Sequence, residues 1–301
     1  MSADPAFDRI AVVVHPTRAI EKALEALRRW AGERGLDLVQ LVTGGASLRQ
    51  VAPPGQVAAR DLVVAVGGDG TVLTALRAAA AADAPVLGVA CGSLGALSLV
   101  SAEEIAGALG RIVAGDWTPR RLPALSIGSS DGAADWALND FVVIRRGGAQ
   151  LAAAVAVDDE PYVRLAGDGV IVATALGSTA YTMAVGGPVL AADTPAFVCT
   201  PLAMHGGTAP ALVVPAGATL SIVVSPGHSG FDVEIDGHRR PSDARRFEVT
   251  LHDDRATLVT FGETGHGLAG VRRRGLIADS PRILARDSRL PHGERWEEPS
   301  A

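Results

Sequence analysis

Buried strands and amphipathic helices take turns through residues 1–120, and few folds satisfy that alternation. "RIAVVV" (Arg9–Val14) reads as a buried strand. The segment after it sets Ile20, Leu24, Leu27 and Ala31 on one helical face and stops at Gly35. "LDLVQLV" and "DLVVAV" are further strands, "TVLTALRAAAAA" is a helix and "APVLGVAC" a strand. "SAEEIAGALGRIVAG" is a helix opened by a Ser101/Glu104 capping box. Such a pattern implies a Rossmann-like parallel sheet with helices on its faces, and ligands then gather at the carboxyl ends of the strands.

After Arg121 the rhythm changes. "LPALSIG", "DWALNDFVVIRR", "AAAVAVDDEPYVRLAGDGVIVATA", "TLSIVVSPG", "DVEIDGHRR" and "RRFEVTLHDDRATLVTF" are strand-like pieces cut by Gly, Asp and Pro turns. Only "STAYTMAVGG" (Ser178–Gly187) reads as helical. The expected division is an α/β domain over 1–120 and a mostly β domain of antiparallel, sandwich-like strands over 121–261. A C-terminal segment, 262–301, returns to the first domain and ends as a loose tail. The Arg272–Arg274 run within it reads as a solvated charge cluster.

A chain of 301 residues, 48% of them hydrophobic, has enough apolar side chains for real cores. No apolar run approaches the ~20 residues of a bilayer span, and no basic stretch leads into an apolar one at the amino end. Cys91 and Cys199 are far apart in apolar settings, which fits buried free thiols in a reducing compartment. A formal charge of −6 argues against a nucleic-acid partner. The expectation is a soluble, cytoplasmic protein with neither nucleic-acid nor membrane partners, and no residue stands out as a metal ligand.

The stretch "DLVVAVGGDGTVLTAL" (Asp61–Leu76) carries the chemistry. Gly67, Gly68 and Gly70 remove side chains where backbone must approach a ligand, and Thr71 stands at a helix amino end that favours anions. A lone carboxylate, Asp69, repels bare phosphate. It makes sense against a hydroxyl awaiting phosphorylation, or a Mg²⁺ between phosphates. The loop is not a Walker A loop: it lacks the motif, and Lys22 is the only lysine in the chain. Phosphate charge must be met by backbone amides, arginine and metal. His15, near the end of the first strand, is a candidate contact for the phosphoryl donor. Downstream, Asn139 and Asp140 lie side by side in a strand-like run. Both can face one ligand only at a bulge or a strand end. Asp168 opens another buried strand, and "GSTAY" offers the Thr179 hydroxyl and the Tyr181 ring to a base or a ribose.

"GGDGT", "LND" and "DG-x-x-V-x-T-x-x-G-S-T-A-Y-x-x-x-x-G-G-P", in this order, resemble the NAD kinase family, from about Arg9 to Phe261. The resemblance implies a kinase that phosphorylates the adenosine 2′-hydroxyl of NAD, with ATP or polyphosphate as donor and Mg²⁺ as the divalent metal. Asp69 then matches the aspartate that activates or orients the hydroxyl, with Gly67, Gly68, Gly70 and Thr71 around the phosphates. Asn139 and Asp140 match a pair that holds NAD hydroxyls, and Asp168 matches an aspartate near the nicotinamide. Thr179, Ala180 and Tyr181 match the lining of the adenosine pocket. Asp236, in "IDGH", matches a later turn that approaches the site. Family members are homo-oligomers, often dimers or tetramers.

Ala90, Ala96, Ala175, Ala184 and Pro210 stand where the family usually has Asn, Phe, Pro, Ser and Arg. Two alternatives follow. One is a catalytically altered, dinucleotide-binding paralogue acting as a sensor. The other is a kinase of the diacylglycerol or sphingosine type, which shares only "GGDGT".

Overall fold

The computed structural model describes residues 7–43, 49–262, 271–272 and 275–288. The layered half runs β1 (Arg9–Val14), α1 (Glu21–Gly32), β2 (Asp37–Leu41), β3 (Pro54–Gly55), β4 (Asp61–Gly67), α2 (Asp69–Ala79), β5 (Val86–Ala90), β6 (Val100–Ser101) and α3 (Ile105–Val113). Its parallel strands lie in the order β3-β2-β1-β4-β5. In β1, Ile10, Val12 and Val14 pack toward α1 and α3, while Ala11 and Val13 pack toward α2. Both faces are covered, which is why the strand sequences are continuously apolar.

The second half runs β7 (Thr118–Ser129), β8 (Ala134–Ala137), β9 (Asp140–Arg145), β10 (Leu151–Val157), β11 (Glu160–Gly167), β12 (Gly169–Ala173), α4 (Tyr181–Ala184), β13 (Ala196–Leu202), β14 (Leu212–Pro215), β15 (Leu220–Ser225), β16 (Phe231–Ile235), β17 (His238–Ser242) and β18 (Arg246–Thr260). Six of these strands form an antiparallel sheet, β14-β13-β12-β9-β16-β17. It packs on an antiparallel extension of the first sheet, and the core between them takes alternate residues of each strand. There Phe247 packs between Phe141, 5.2 Å away, and Phe231, 6.2 Å away. The fifteen-residue β18 joins the halves. Its first residues pair with β15, β7 follows it as far as Thr260, and at its far end Leu258 lies parallel to Val86 of β5.

Four local readings change. "DWALNDFVVIRR" is two strands in different sheets, broken at Leu138–Asn139. Residues 196–202 form a strand that the pattern hid, because Pro201 argues against one. Pairing of β13 with β14 ends at Cys199, so the N–H that proline lacks falls beyond the ladder. Ser101 belongs to β6, and its hydroxyl donates to the Glu104 carboxylate while α3 starts at Ile105. A short helix, α5 (Pro281–Asp287), stands in the expected tail. Arg272 is ion-paired with Asp279, and Arg273 and Arg274 lie outside the described residues. Among the described residues no helix is long and apolar enough to cross a membrane.

Phe247→Ala should lower the unfolding free energy by about 3–5 kcal/mol. In urea titration the midpoint should fall while the slope stays constant; an unchanged midpoint would contradict this packing.

Candidate active site

The apolar run of β4 ends at Gly67, and the backbone turns at once into α2. A side chain at Gly67 would put its Cβ 2.2 Å from the Thr71 hydroxyl, so only glycine lets Thr71 fold back over the strand end. Gly68 is the extended N-cap of α2, and Asp69 is the first helical residue. The Asp69 carboxylate accepts the backbone N–H groups of Ala96 (2.8 Å), Leu97 (3.0 Å) and Ser98 (3.1 Å) and the hydrogen bond of the Ser98 hydroxyl (3.0 Å). Gly95 makes this clasp possible, since a Cβ there would lie 2.0 Å from Asp69 Oδ1. Burial pushes the Asp69 carboxyl up. The amides of Ala96, Leu97 and Ser98 and the Ser98 hydroxyl outweigh it and hold the group below the ordinary aspartate value. Asp69 is therefore ionised and fixed.

A cavity of about 920 Å³ opens over this helix end. His15, Gly68, Asp69, Gly70 and Thr71 line it together with Arg18 and Arg77, while Gly67 does not. Its far wall is the β16–β17 hairpin, with Ile235, His238 and Arg239. His15 Nδ1 accepts the backbone N–H groups of Thr17 and Arg18. Burial, then the charges of Arg18 and Arg49, push its imidazole below the usual value. The neutral ring thus carries its proton on Nε2.

Asp236 is not a ligand-facing residue. With Gly237 it forms a two-residue turn in which both have positive φ. Its carboxylate, 1% exposed, accepts the N–H groups of Leu138 (3.0 Å) and Asn139 (2.6 Å). Arg77 of α2 reaches Asp236 at 3.4 Å and Asp135 at 2.8 Å, and also donates to the Trp136 carbonyl. The Arg77 guanidinium also lies 4.6 Å from the centre of the Trp136 ring. The helix that presents Asp69 is thereby tied to the start of β9.

Asn139, Asp140, Asp168 and residues 179–181 do not line the 920 Å³ cavity. Asn139 precedes β9, and its side chain makes no hydrogen bond to a described residue. Asp140 is the first residue of β9, opposite Ala173 of β12. It shares the outer face of the six-stranded sheet with Val142, Ile171 and Ala173, against which Tyr181 packs. Burial, then the carboxylates of Asp236 and Glu234, raise Asp140 to about 7. Burial, then Glu234, Asp140 and Asp168, raise the Tyr181 phenol, so all four groups share one neighbourhood. Asp168 is ion-paired with Arg145, and the Thr179 hydroxyl donates to the Leu176 carbonyl. The two groups of residues meet through apolar contacts: Leu138 and Leu176 lie in one cluster with Leu97 and the inner face of α2.

The sequence reading missed Arg18, Arg77, Ser98, Glu234 and Arg239. Arg18 follows three residues after His15 and Arg77 lies on α2, so their positions were readable; their direction required the fold. Glu234 carried a signal, since strand alternation sets it on the opposite face from Val233 and Ile235. Among the described residues no group of three His, Cys, Asp or Glu side chains could hold a metal ion. Asp69 and Asp135 are the carboxylates on the cavity wall, and both are engaged by other groups.

Residues 47–117 match the family model described as the ATP-NAD kinase N-terminal domain, and residues 138–254 the ATP-NAD kinase C-terminal domain. The NAD kinase of Heliobacterium modesticaldum is 38% identical over 102 residues, 32% of this chain and 36% of that protein. The NAD kinase of Natronomonas pharaonis is 47% identical over 73 residues, 23% of this chain and 26% of that protein. The matched segments thus span about a quarter to a third of these curated relatives. A yeast NADH kinase solved with NADH superposes with a TM-score of 0.74 at 17% identity, covering 92% of this chain and 89% of that one. An NAD kinase from Archaeoglobus fulgidus solved with ATP gives 0.67 at 22% identity, covering 90% and 100%. These likenesses show the same fold, an α/β half followed by a β-sandwich half.

Two outcomes test the site's construction. Asp236→Ala leaves the buried amides of Leu138 and Asn139 without their acceptor and removes one of the two carboxylates that hold Arg77, and should cost about 3 kcal/mol by denaturant unfolding; a neutral result would break the link described here. Asp140 binds a proton in the native state between about pH 4 and 7 that the unfolded chain has released. Its contribution to stability is therefore present at low pH and lost as pH rises to about 7. Asp140→Asn should stabilise the protein at pH 8, with the gain shrinking toward pH 4. A gain independent of pH would contradict the burial argument.

Proposed function

Because the chain belongs to the NAD kinase family, we propose that it transfers a phosphoryl group from ATP to the adenosine 2′-hydroxyl of NAD, giving NADP. One observation carries this reading: the Asp69 carboxylate, held by donors from residues 96–98, stands ionised at the amino end of α2 in a cleft of about 920 Å³.

A carboxylate with a lowered pKa is a poor store for a proton but a strong, fixed acceptor for a hydroxyl's hydrogen bond. Phosphoryl transfer through a loose transition state asks mainly for such positioning, with the alcohol aligned and the developing charge stabilised. Asp69 orients the acceptor hydroxyl and takes its proton only in passing, releasing it to solvent, as the new P–O bond forms and the bond from the phosphoryl group to ADP breaks. The amide of Gly70 and the Thr71 hydroxyl lie at the positive end of α2 and meet the donor's phosphates. His15 Nε2–H donates to a phosphate oxygen. Asn139 and Asp140 bind NAD hydroxyls. Asp168, Thr179, Ala180 and Tyr181 surround the rest of the dinucleotide, and Glu234 joins them. Asp236 acts on the site only through the backbone of residues 138–140.

Among the described residues no group of three His, Cys, Asp or Glu side chains could hold Mg²⁺, so the donor's phosphates would supply most of its ligands. When bound there it neutralises phosphate charge; every other step above belongs to this chain's side chains and amides. Polyphosphate is the second candidate donor. A homo-oligomer, dimer or tetramer, and a cytoplasmic setting complete the reading.

The test is to mix purified protein with NAD or NADH, ATP or polyphosphate, and Mg²⁺, and to detect NADP(H) with a specific dehydrogenase. The wild type should turn over, and Asp69→Asn should lower kcat by roughly 10²–10⁴-fold while the KM for NAD stays within a few-fold. No product from the wild type with any donor would overturn the proposal and favour the dinucleotide-binding sensor.

A further inference from the structure

In the layered sheet β1 lies between β2 and β4, so the chain leaves β1 toward one edge and β4 toward the other. Ligands of open α/β sheets bind at such a switch point, beyond the carboxyl ends of the strands. Here the crevice is flanked by residues 15–20, after β1, and residues 67–70, after β4. The cleft over Asp69 lies on its α2 side. On its α1 side is a second cavity of about 510 Å³, between the amino end of α1 and the loop after β5. Ile20, Ala23, Ala90 and Ala102 give it apolar walls with the half-buried Cys91, and the Lys22–Glu103 ion pair stands at its rim.

Arg18 is the residue that lines both cavities. Its Nη1 lies 3.1 Å from where a Cβ on Gly68 would stand, so the guanidinium covers the glycine loop. The other arginines of the cleft are committed: Arg77 to Asp135 and Asp236, Arg239 to Asp232, Arg240 to Asp135. The Arg18 guanidinium forms no ion pair with a described residue. A planar cation placed over a phosphate-type loop, between an apolar slot and the reactive carboxylate, suits a ligand with a flat uncharged base and an anionic chain.

We propose that the 510 Å³ cavity seats the nucleoside half of the phosphoryl donor and that Arg18 grips its phosphate chain where the two cavities meet. This rests on the donor side of the kinase reading and adds to it the place where the donor binds. The base packs against Ile20 and the Ala90–Cys91 wall. The chain crosses Arg18 and enters the cleft with its terminal phosphate at Gly68–Thr71.

Calorimetric titration of the full chain with ATP and with tripolyphosphate, in the absence of NAD, separates the parts. Arg18→Met should weaken both ligands at least about tenfold, since both lose a guanidinium–phosphate contact. Ala102→Trp should weaken ATP at least about tenfold and leave tripolyphosphate within about twofold. Cys91→Phe fills the same slot from another wall and repeats the test should the first variant fold poorly, as judged by its melting temperature. Equal binding of both ligands by Arg18→Met and wild type overturns the role of Arg18. Filling variants that weaken both ligands alike, or neither, overturn the nucleoside seat. If the wild type makes no NADP yet binds donors in this pattern, the acceptor assignment fails and the donor site stands.

Discussion

The site depends on one buried carboxylate that carries out no chemistry. Asp236 sits at a hairpin tip, collects backbone N–H groups of residues 138–140 and takes Arg77 from α2. Each partner belongs to a different element: the break between β8 and β9, the β16–β17 turn, and the helix that presents Asp69. The break has a physical cause. The N–H groups at Leu138–Asn139 turn to a carboxylate rather than to a neighbouring strand, so β8 continues in one sheet and β9 starts in the other. Asn139 and Asp140 thereby emerge at a strand end, the condition under which neighbouring residues can serve one ligand.

A second anion cradle holds Asp69. Residues 96–98 present successive N–H groups, an arrangement that commonly binds phosphate, and here it is filled by the protein's own carboxylate. The consequence is chemical. A free carboxylate among phosphates would rise in pKa and swing away; this one stays ionised and oriented. Ala96, where the family usually has a bulkier residue, takes part through its backbone N–H, so the clasp tolerates the substitution. Around it, electrostatics divide the site. The crevice between β1 and β4 is cationic through Arg18 and the helix amino end, whereas the outer face of the six-stranded sheet sets Glu234 beside Asp140, whose proton is held up to about pH 7.

Periodicity made much of the architecture legible. The continuous apolar runs of β1, β4 and β5 required burial on both faces, and the Gly–Gly–Asp–Gly turn required backbone crowding that a Cβ at Gly67 or Gly95 would forbid. Two things misled. The strand containing Pro201 is not legible locally, because a proline is tolerated only where its side of the ladder is open, and openness is a property of the sheet. The resemblance brings the Asp236 turn toward the site, and only the packing of Arg77 and β9 turns its carboxylate inward.

By itself, the sequence determined the layered half, the β-rich half and the carboxylate at the end of β4, because local periods and steric demands of the backbone act within a few residues of each other. The tertiary structure alone decided which polar groups are spent holding the molecule together and which are left facing a cleft. That choice turns on hydrogen bonds between residues as far apart as Arg77 and Asp236, and no local pattern records which donor a distant acceptor will find.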